Sequence, residues 1–296
     1  MCCLPLSAAW PRIPGHEVCG TVIAVGPGAK RWAIGDRVGR GWAGGHCFSC
    51  KNCRRGQFIF CEHAVSTGLN SDGGWAEYMT ANWESLAAVP KGMASETAAP
   101  LLCAGVTTFN SLRNMKLTPG AWVAVQGLGG LGHLAVQFAA KMGYRVIALS
   151  SGASKESFAR ELGALHYIDA SKESVVGKIK ELTSGQGVSL VIGTSPSGKA
   201  MASVVEALGP DGTLLTLGAG PDPLSVWTGQ LIHNNRVIRG WAAGDANDSE
   251  DTLEFAQAFG IKVMTECFPL SQAAETYDKM NNNTIRFRGV LLPQKK

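Results

Sequence analysis

Four cysteines crowd into one short stretch, CFSCKNCRRGQFIFC, with the spacing Cys47-x2-Cys50-x2-Cys53-x7-Cys61. Thiolates two residues apart in a tight turn converge on one metal ion, and four of them close a tetrahedral zinc site without a position for substrate. The stretch therefore predicts a structural zinc site that orders a loop with little apolar surface. The alternatives are plain core cysteines and an iron–sulfur cluster, because C-x2-C-x2-C also begins a ferredoxin motif. That motif places its fourth cysteine closer and follows it with proline.

A glycine-rich loop lies between a predicted strand, Trp122–Gln126, and a predicted helix, Leu131–Met142. In this context, glycines allow a tight turn and let the backbone approach a pyrophosphate, which then rests on the helix N terminus. A glycine-rich turn without a ligand is the alternative. The predicted dinucleotide-binding residues of the loop are Gly127, Leu128, Gly129, Gly130, Leu131 and Gly132.

The end of the second strand after this loop decides which dinucleotide fits. An acidic residue about 20 residues past the glycines would bind the ribose 2′-hydroxyl of NAD. Eighteen residues after Gly132 the chain instead reads Ser150-Ser151-Gly152-Ala153-Ser154-Lys155. The hydroxyls of Ser150 and Ser151 and the ammonium of Lys155 can receive a 2′-phosphate, which favours NADP(H). The alternative is a plain turn and helix cap beside a solvated lysine.

A third group of reactive residues begins near the start of the chain, where His16 and Glu17 are adjacent. The pair indicates one corner of a metal site whose other ligands come from elsewhere in the sequence. A lone histidine is more often a satisfied core residue, so the pair alone does not predict a site.

The elements that must position these residues fall into two halves. Residues 18–90 are β-rich, with predicted strands Val18–Val25, Arg37–Gly39, Ala76–Met79 and Leu86–Ala88. After Cys103, apolar strands alternate with helices, which is typical of a doubly wound parallel α/β sheet. The remaining predicted elements of this alternation are the strands Val146–Leu149, His166–Ile168, Leu190–Ile192 and Thr213–Leu217 and the helices Lys155–Leu162, Ser174–Thr183 and Lys199–Leu208. A last helix, Gln272–Met280, and strand, Phe287–Leu292, return to the β-rich half.

Composition excludes several classes of protein. The 296 residues are 45% hydrophobic and 17% charged, which describes a globular chain and not a disordered one. A diffuse net charge of +4 gives no reason to expect nucleic acid. No apolar run reaches the roughly 18–20 residues of a membrane span, and no basic region precedes the short apolar start. Clustered cysteines are typical of metal sites in reducing compartments, so we expect a soluble cytoplasmic protein.

The segments GHEVCGTV, the four-cysteine stretch, DGGWAEYM, LLCAGVTTF and GLGGLGH occur in the order found in zinc-dependent medium-chain alcohol dehydrogenases. The chain resembles in particular the cinnamyl-alcohol-dehydrogenase-like, NADP-preferring branch, over essentially its whole length from Pro11 to Leu292. The resemblance implies a β-rich GroES-like catalytic domain at 1–105, a Rossmann domain at 106–262, and a return to the catalytic domain at 263–296. It also implies a homodimer.

The same resemblance implies the residues of a catalytic zinc site. His16 and Cys103 match zinc ligands, Glu17 matches an outer or alternative ligand, and Thr107 matches a position near the nicotinamide. Zinc with an open position binds an alcohol or aldehyde oxygen while hydride passes to or from NADP(H). An alcohol or aldehyde is therefore the expected small-molecule substrate.

The sequence departs from the family at one ligand. Relatives carry a further zinc cysteine upstream of His16, in a segment that this sequence lacks, so we expect an N-terminal truncation. Cys2 or Cys3 could replace that ligand, or Glu17 could complete the set. The leading hypothesis is a zinc- and NADP(H)-dependent oxidoreductase. The alternatives are a catalytically impaired accessory protein that binds zinc and nucleotide, and a zinc-free enoyl or quinone reductase.

Overall fold

The computed structural model describes residues 10–293, which form two compact units. Residues 111–242 make a parallel-sheet unit, and residues 10–110 together with 243–293 make a two-segment unit. The expected domain boundaries lay at 105 and 262. The structure instead places the helix Ala246–Phe259 in the two-segment unit, because it packs against Leu86–Ala88 and Leu101–Gly105 of that unit.

The elements are numbered in chain order. The strands are β1 Val18–Thr21, β2 Arg37–Arg40, β3 Ala43–Gly45, β4 Val65–Ser66, β5 Leu86–Ala88, β6 Trp122–Gln126, β7 Arg145–Ser150, β8 His166–Asp169, β9 Val188–Gly193, β10 Leu208–Thr216, β11 Val237–Gly240, β12 Thr265–Pro269 and β13 Arg288–Leu292. The helices are α1 Ser95–Pro100, α2 Val106–Arg113, α3 Gly132–Lys141, α4 Glu156–Glu161, α5 Val175–Leu182, α6 Gly198–Ala202, α7 Thr228–Ile232, α8 Ala246–Phe259 and α9 Ala273–Asn281.

The parallel-sheet unit is doubly wound. Its six strands lie in the order β11-β10-β9-β6-β7-β8, and every neighbouring pair is parallel. The chain starts at β6 in the middle, runs outward to β8, and then returns to the other side at β9. Ligands bind such sheets where the strand order reverses, at the carboxyl ends of the strands. The predicted Rossmann α/β class is confirmed.

The core of this unit explains the apolar strands in the sequence. Ile147, Leu149, Val191 and Leu214 are all buried, because helices cover both faces of a parallel sheet. A buried sheet of this kind holds the loops at its carboxyl edge in fixed positions. Within residues 10–293, no helix is both long enough and apolar enough to cross a membrane.

The two-segment unit is β-rich, as predicted. An antiparallel sheet of β1, β2 and β5 places Val18 opposite Arg40, directly after the His16–Glu17 pair. A short antiparallel pair, β3 and β4, flanks the four-cysteine stretch, and β12 pairs with β13 in parallel.

Some predicted elements of this unit were wrong. Ala76–Met79 is not a strand. The preceding backbone instead bonds to the segment before His16, because the Gly73 amide donates to Ile13 and the Gly74 amide donates to Gly15. The strand predicted at Val18–Val25 ends at Thr21, and residues 22–26 have no regular secondary structure.

In the parallel-sheet unit, the helix predicted at Lys199–Leu208 is also too long. Only its first four residues lie in α6, which begins one residue earlier at Gly198, and Leu208 already begins β10. Across both units, the sequence does not predict the strands β3, β4, β11 and β12 or the helices α1, α2, α7 and α8.

Candidate functional site

The four cysteines of residues 47–61, the cysteine lobe, meet at one point. Their sulfur atoms all lie within 4.8 Å of one another. The Cys61 and Cys47 sulfurs are 3.6 Å apart, and the Cys50 and Cys61 sulfurs are 4.0 Å apart. Zinc–sulfur bonds of about 2.3 Å in a tetrahedron separate the sulfurs by about 3.8 Å. The donor set and its spacing therefore fit a structural zinc ion.

The backbone of the lobe is arranged to stabilise thiolates. The Cys50 amide donates to the Cys47 sulfur at 3.3 Å, and the Cys53 amide donates to the Cys50 sulfur at 3.5 Å. The Ser49 hydroxyl, followed by nearby amides, lowers the pKa of Cys47 to about 5. Burial raises the pKa of Cys53 to about 12. The Cys53 amide also lowers the pKa of Cys50, so the protein favours thiolates at Cys47 and Cys50 and opposes one at Cys53. A divalent cation supplies the missing positive charge.

His16 owes its position to the glycine before it. Gly15 has a φ of +97°, and a β-carbon there would overlap the indole ring of Trp75. The turn sets His16 edge-on to Trp42, with 5.1 Å between ring centroids. Burial lowers the pKa of His16, partly offset by Glu17. The imidazole is therefore held neutral, which is the form that binds metals.

Cys103 lies in an unusual turn of helix. Pro100 ends α1, and residues Leu101–Gly105 then form a π-helical turn. Single π turns inside helices are frequent at functional sites. In this turn the Ala104 amide donates to Oε1 of Glu17 at 3.2 Å. The hydrogen bond ties the segment that carries Cys103 to the segment that carries His16.

Glu17 has partners for both of its carboxylate oxygens. Oε1 accepts from Ala104, and Oε2 forms an ion pair with Arg288, the first residue of β13. Arg288 also lies close enough to His16 and to Cys103 to interact electrostatically with each of them. Sequence reasoning missed Arg288, because a single basic residue in a terminal strand gives no signal of its own.

The described residues supply only part of the expected catalytic zinc set. His16 and Cys103 offer two donors, whereas catalytic zinc sites use three protein ligands. In residues 10–293, the cysteine lobe is the one group of three or more such donors that meet. Glu17 faces Arg288, and Cys2 and Cys3 lie outside the described residues. Thr107 is buried in the first turn of α2.

The glycine loop has the geometry that a pyrophosphate needs. Gly127 follows β6 with a φ of +96°, and its amide donates to Leu149 at 2.8 Å. Gly132 opens α3 so close to Gly127 that a β-carbon would overlap the Gly127 carbonyl. Leu128 is buried and anchors the turn, while Gly129 is exposed. Gly130 and Leu131, both half-buried, complete the approach to the helix N terminus.

The next strand of the sheet ends at the predicted phosphate-binding residues. Ser150 is the last residue of β7, and the Lys155 ammonium donates to its hydroxyl oxygen at 3.2 Å. Ser151 is exposed. An acid does lie nearby, because Asp169 on β8 is opposite Ser150. Its Oδ1 accepts from the Gly152 amide at 2.9 Å, so the carboxylate is bound to the loop backbone.

Comparison with known proteins adds the family. The family described as "Alcohol dehydrogenase GroES-like domain" matches residues 4–91, and "Zinc-binding dehydrogenase" matches residues 130–258. The chain is 43% identical to alcohol dehydrogenase patD of Penicillium expansum over 286 residues. That alignment covers 97% of this chain and 83% of the relative.

Solved structures show the same similarity. A cinnamyl alcohol dehydrogenase of Sorghum bicolor is 30% identical with a TM-score of 0.87, over 96% of this chain and 82% of that one. A Helicobacter pylori enzyme named CAD, solved with NADP(H), is 28% identical with a TM-score of 0.84. That match covers 96% of this chain and 83% of the other. The chain therefore belongs to the zinc-binding medium-chain alcohol dehydrogenase family and is an oxidoreductase.

Proposed function

We propose that the protein uses NADP(H) to interconvert an alcohol and an aldehyde. The observation that carries the coenzyme assignment is the end of β7, where Lys155 reaches the Ser150 hydroxyl and no acidic side chain occupies residues 150–155. An ammonium and two serine hydroxyls form charge-assisted hydrogen bonds with a 2′-phosphate. The NADP(H) complex of the related Helicobacter pylori enzyme supports this assignment.

Separate groups of residues bind the two ends of the dinucleotide. The loop Gly127–Gly132 and the N terminus of α3 bind the pyrophosphate, because the free amides there point toward an anion. Ser150, Ser151 and Lys155 bind the 2′-phosphate of the adenosine half. Thr107 is proposed to contact the nicotinamide half.

His16 and Cys103 would be two of the ligands of the catalytic zinc. The ion supplies a Lewis acid for the oxygen of the alcohol or aldehyde. Glu17 and Arg288 neutralise each other beside these ligands, so the ion pair limits how far the carboxylate can move. The cysteine lobe stays structural, because its four thiolates close their site. Family membership favours this enzyme over the accessory-protein alternative, and reduced thiolates favour the cytoplasm.

Replacement of Lys155 by alanine tests the coenzyme assignment. A hydrogen bond to a charged group contributes about 1.5–3 kcal/mol, so the dissociation constant for NADPH should rise about ten- to hundredfold. The constant for NADH should not change, because NADH lacks the 2′-phosphate. Both constants are measured by fluorescence titration of the full chain.

Lys178→Ala is the matched control. Lys178 pairs with Glu181 on α5, so its loss removes the same charge from a residue outside the loop. If both variants weaken NADPH equally, only net charge matters and the proposed site is wrong. If Lys155→Ala leaves NADPH binding unchanged, the loop does not hold the 2′-phosphate.

A further inference from the structure

We propose that Tyr167 and Asp169, on β8, are positioning residues that set the preference for NADPH over NADH by fixing the backbone N–H and C=O groups of Gly152. The inference rests on the proposed function, because it concerns how the loop after β7 is held ready for a 2′-phosphate. Neither residue belongs to that loop, and neither is needed to touch the coenzyme.

Side chains of β8 bind both backbone polar groups of Gly152. The Tyr167 hydroxyl donates to the Gly152 carbonyl at 2.7 Å, and Oδ1 of Asp169 accepts from the Gly152 amide at 2.9 Å. Tyr167 and Asp169 are two residues apart on a strand, so their side chains lie on the same face. One strand therefore fixes both polar groups of a single glycine.

Gly152 is the residue at which the loop changes direction. Its φ is +95°, a region that side-chain-bearing residues rarely adopt. Its carbonyl also accepts from the Lys155 backbone amide at 3.2 Å, so the same oxygen starts the turn that carries Lys155. A rotation of the Gly152–Ala153 peptide group would break this hydrogen bond to the turn that carries Lys155.

The loop has few other anchors. Ser151, Ala153 and Ser154 are exposed, and Gly152 has no side chain to bury. Apolar burial therefore contributes little to holding residues 151–154, and the hydrogen bonds of Gly152 carry most of the constraint.

Lys155 and Ser150, the two phosphate-binding residues beside this turn, already contact each other. The Lys155 ammonium donates to the Ser150 hydroxyl oxygen at 3.2 Å. This single bond leaves the ammonium with its remaining hydrogens available for a phosphate.

Asp169 is an acid placed close to an anion site without occupying it. Its side chain is buried, and Oδ1 accepts from the Ser171 hydroxyl at 2.6 Å as well as from Gly152. These donors offset part of the negative charge that would otherwise repel a 2′-phosphate. All of them bind Oδ1, and Oδ2 is buried without a hydrogen-bond partner among the described residues. The residue can therefore orient the loop of an NADP(H) site.

Tyr167→Phe is the test, because it removes only the hydroxyl. A neutral hydrogen bond contributes about 0.5–1.5 kcal/mol, so the dissociation constant for NADPH should rise about two- to tenfold. The constant for NADH should not change, which lowers the ratio between the two coenzymes. Tyr144→Phe is the matched control, since Tyr144 is a half-buried tyrosine just before the opposite end of β7. It should leave both constants unchanged.

Asp169→Asn and Asp169→Ala give a second test that does not depend on Tyr167. Asparagine keeps an oxygen for the Gly152 amide and should preserve the coenzyme ratio, whereas alanine should lower it. A wild-type chain that prefers NADPH, with an unchanged ratio in Tyr167→Phe and Asp169→Ala, overturns the positioning role and leaves the proposed function standing. Equal weakening of both coenzymes also overturns it, because general damage to the fold would explain that result. A wild-type preference for NADH rejects both proposals.

Discussion

Loss of one cysteine ligand should release the metal from the cysteine lobe and unfold that lobe locally. Between residues 47 and 61, only Cys53 and Cys61 are buried, and both are ligands themselves. Apolar burial contributes about 0.8 kcal/mol per buried methylene, whereas structural zinc binding contributes about 10–16 kcal/mol in small zinc domains. The metal is therefore the main source of order in the lobe.

Cys53→Ser is the perturbation of choice, because burial opposes a thiolate at Cys53 most strongly without a metal. Loss of even an outer partner of a metal ligand lowers affinity 10- to 100-fold, so loss of a ligand should cost more than about a hundredfold. Zinc retained against a competing chelator is measured by metal analysis. Exposed Lys51, Arg54 and Arg55 report unfolding of the lobe through tryptic cleavage.

The control is Cys267→Ser, which removes an exposed thiol outside the lobe. It should match the wild-type chain in both zinc retention and resistance to trypsin. If Cys53→Ser also keeps its zinc and its resistance to trypsin, the lobe is held by packing, and its role as a structural zinc site is refuted.

Three further predictions concern single side chains. Arg288→Met should cost about 2–3 kcal/mol of stability, because it leaves the carboxylate of Glu17, whose side chain is only 19% exposed, without its ion-pair partner. Calorimetry should show that the double variant Glu17→Gln/Arg288→Met recovers part of this loss. Gly132→Ala should abolish binding of NADPH and NADH alike, measured by titration, because the new methyl group displaces the loop; retained binding would contradict this geometry. Hydrogen bonds from Ser171 and then from Gly152 lower the pKa of Asp169 below its ordinary value near 4. Its contribution to stability is therefore complete above that pH and is lost as the pH falls through the lowered pKa. In Asp169→Asn the free energy of unfolding should depend less on pH below pH 4, and an unchanged acid profile would contradict the shift.

Patterns that repeat along the chain predicted the fold well. The apolar runs of β6, β7 and β9 identify a buried parallel sheet, because helices must cover both of its faces. The spacing of the cysteines identified the lobe for the same reason, since ligand geometry is local. These features depend on neighbours in sequence.

Features that depend on distant partners could not be predicted. Ala76–Met79 alternates like a strand, but its surroundings provide no strand partner within the described chain. The first residues of α8 are polar, so no apolar pattern indicates the helix that begins after its N-cap residue, Asp245. The ion pair of Glu17 with Arg288 joins residues 271 positions apart, so no local pattern announces it.

The coenzyme preference of the wild-type chain tests the proposed activity most directly. Aldehyde reduction is followed with NADPH and with NADH as reductant, and kcat/KM for the two coenzymes is compared. One charge-assisted bond to the 2′-phosphate contributes about 1.5–3 kcal/mol, so NADPH should be favoured by more than about tenfold. Equal values for the two coenzymes, or a preference for NADH, would contradict the role of Ser150, Ser151 and Lys155.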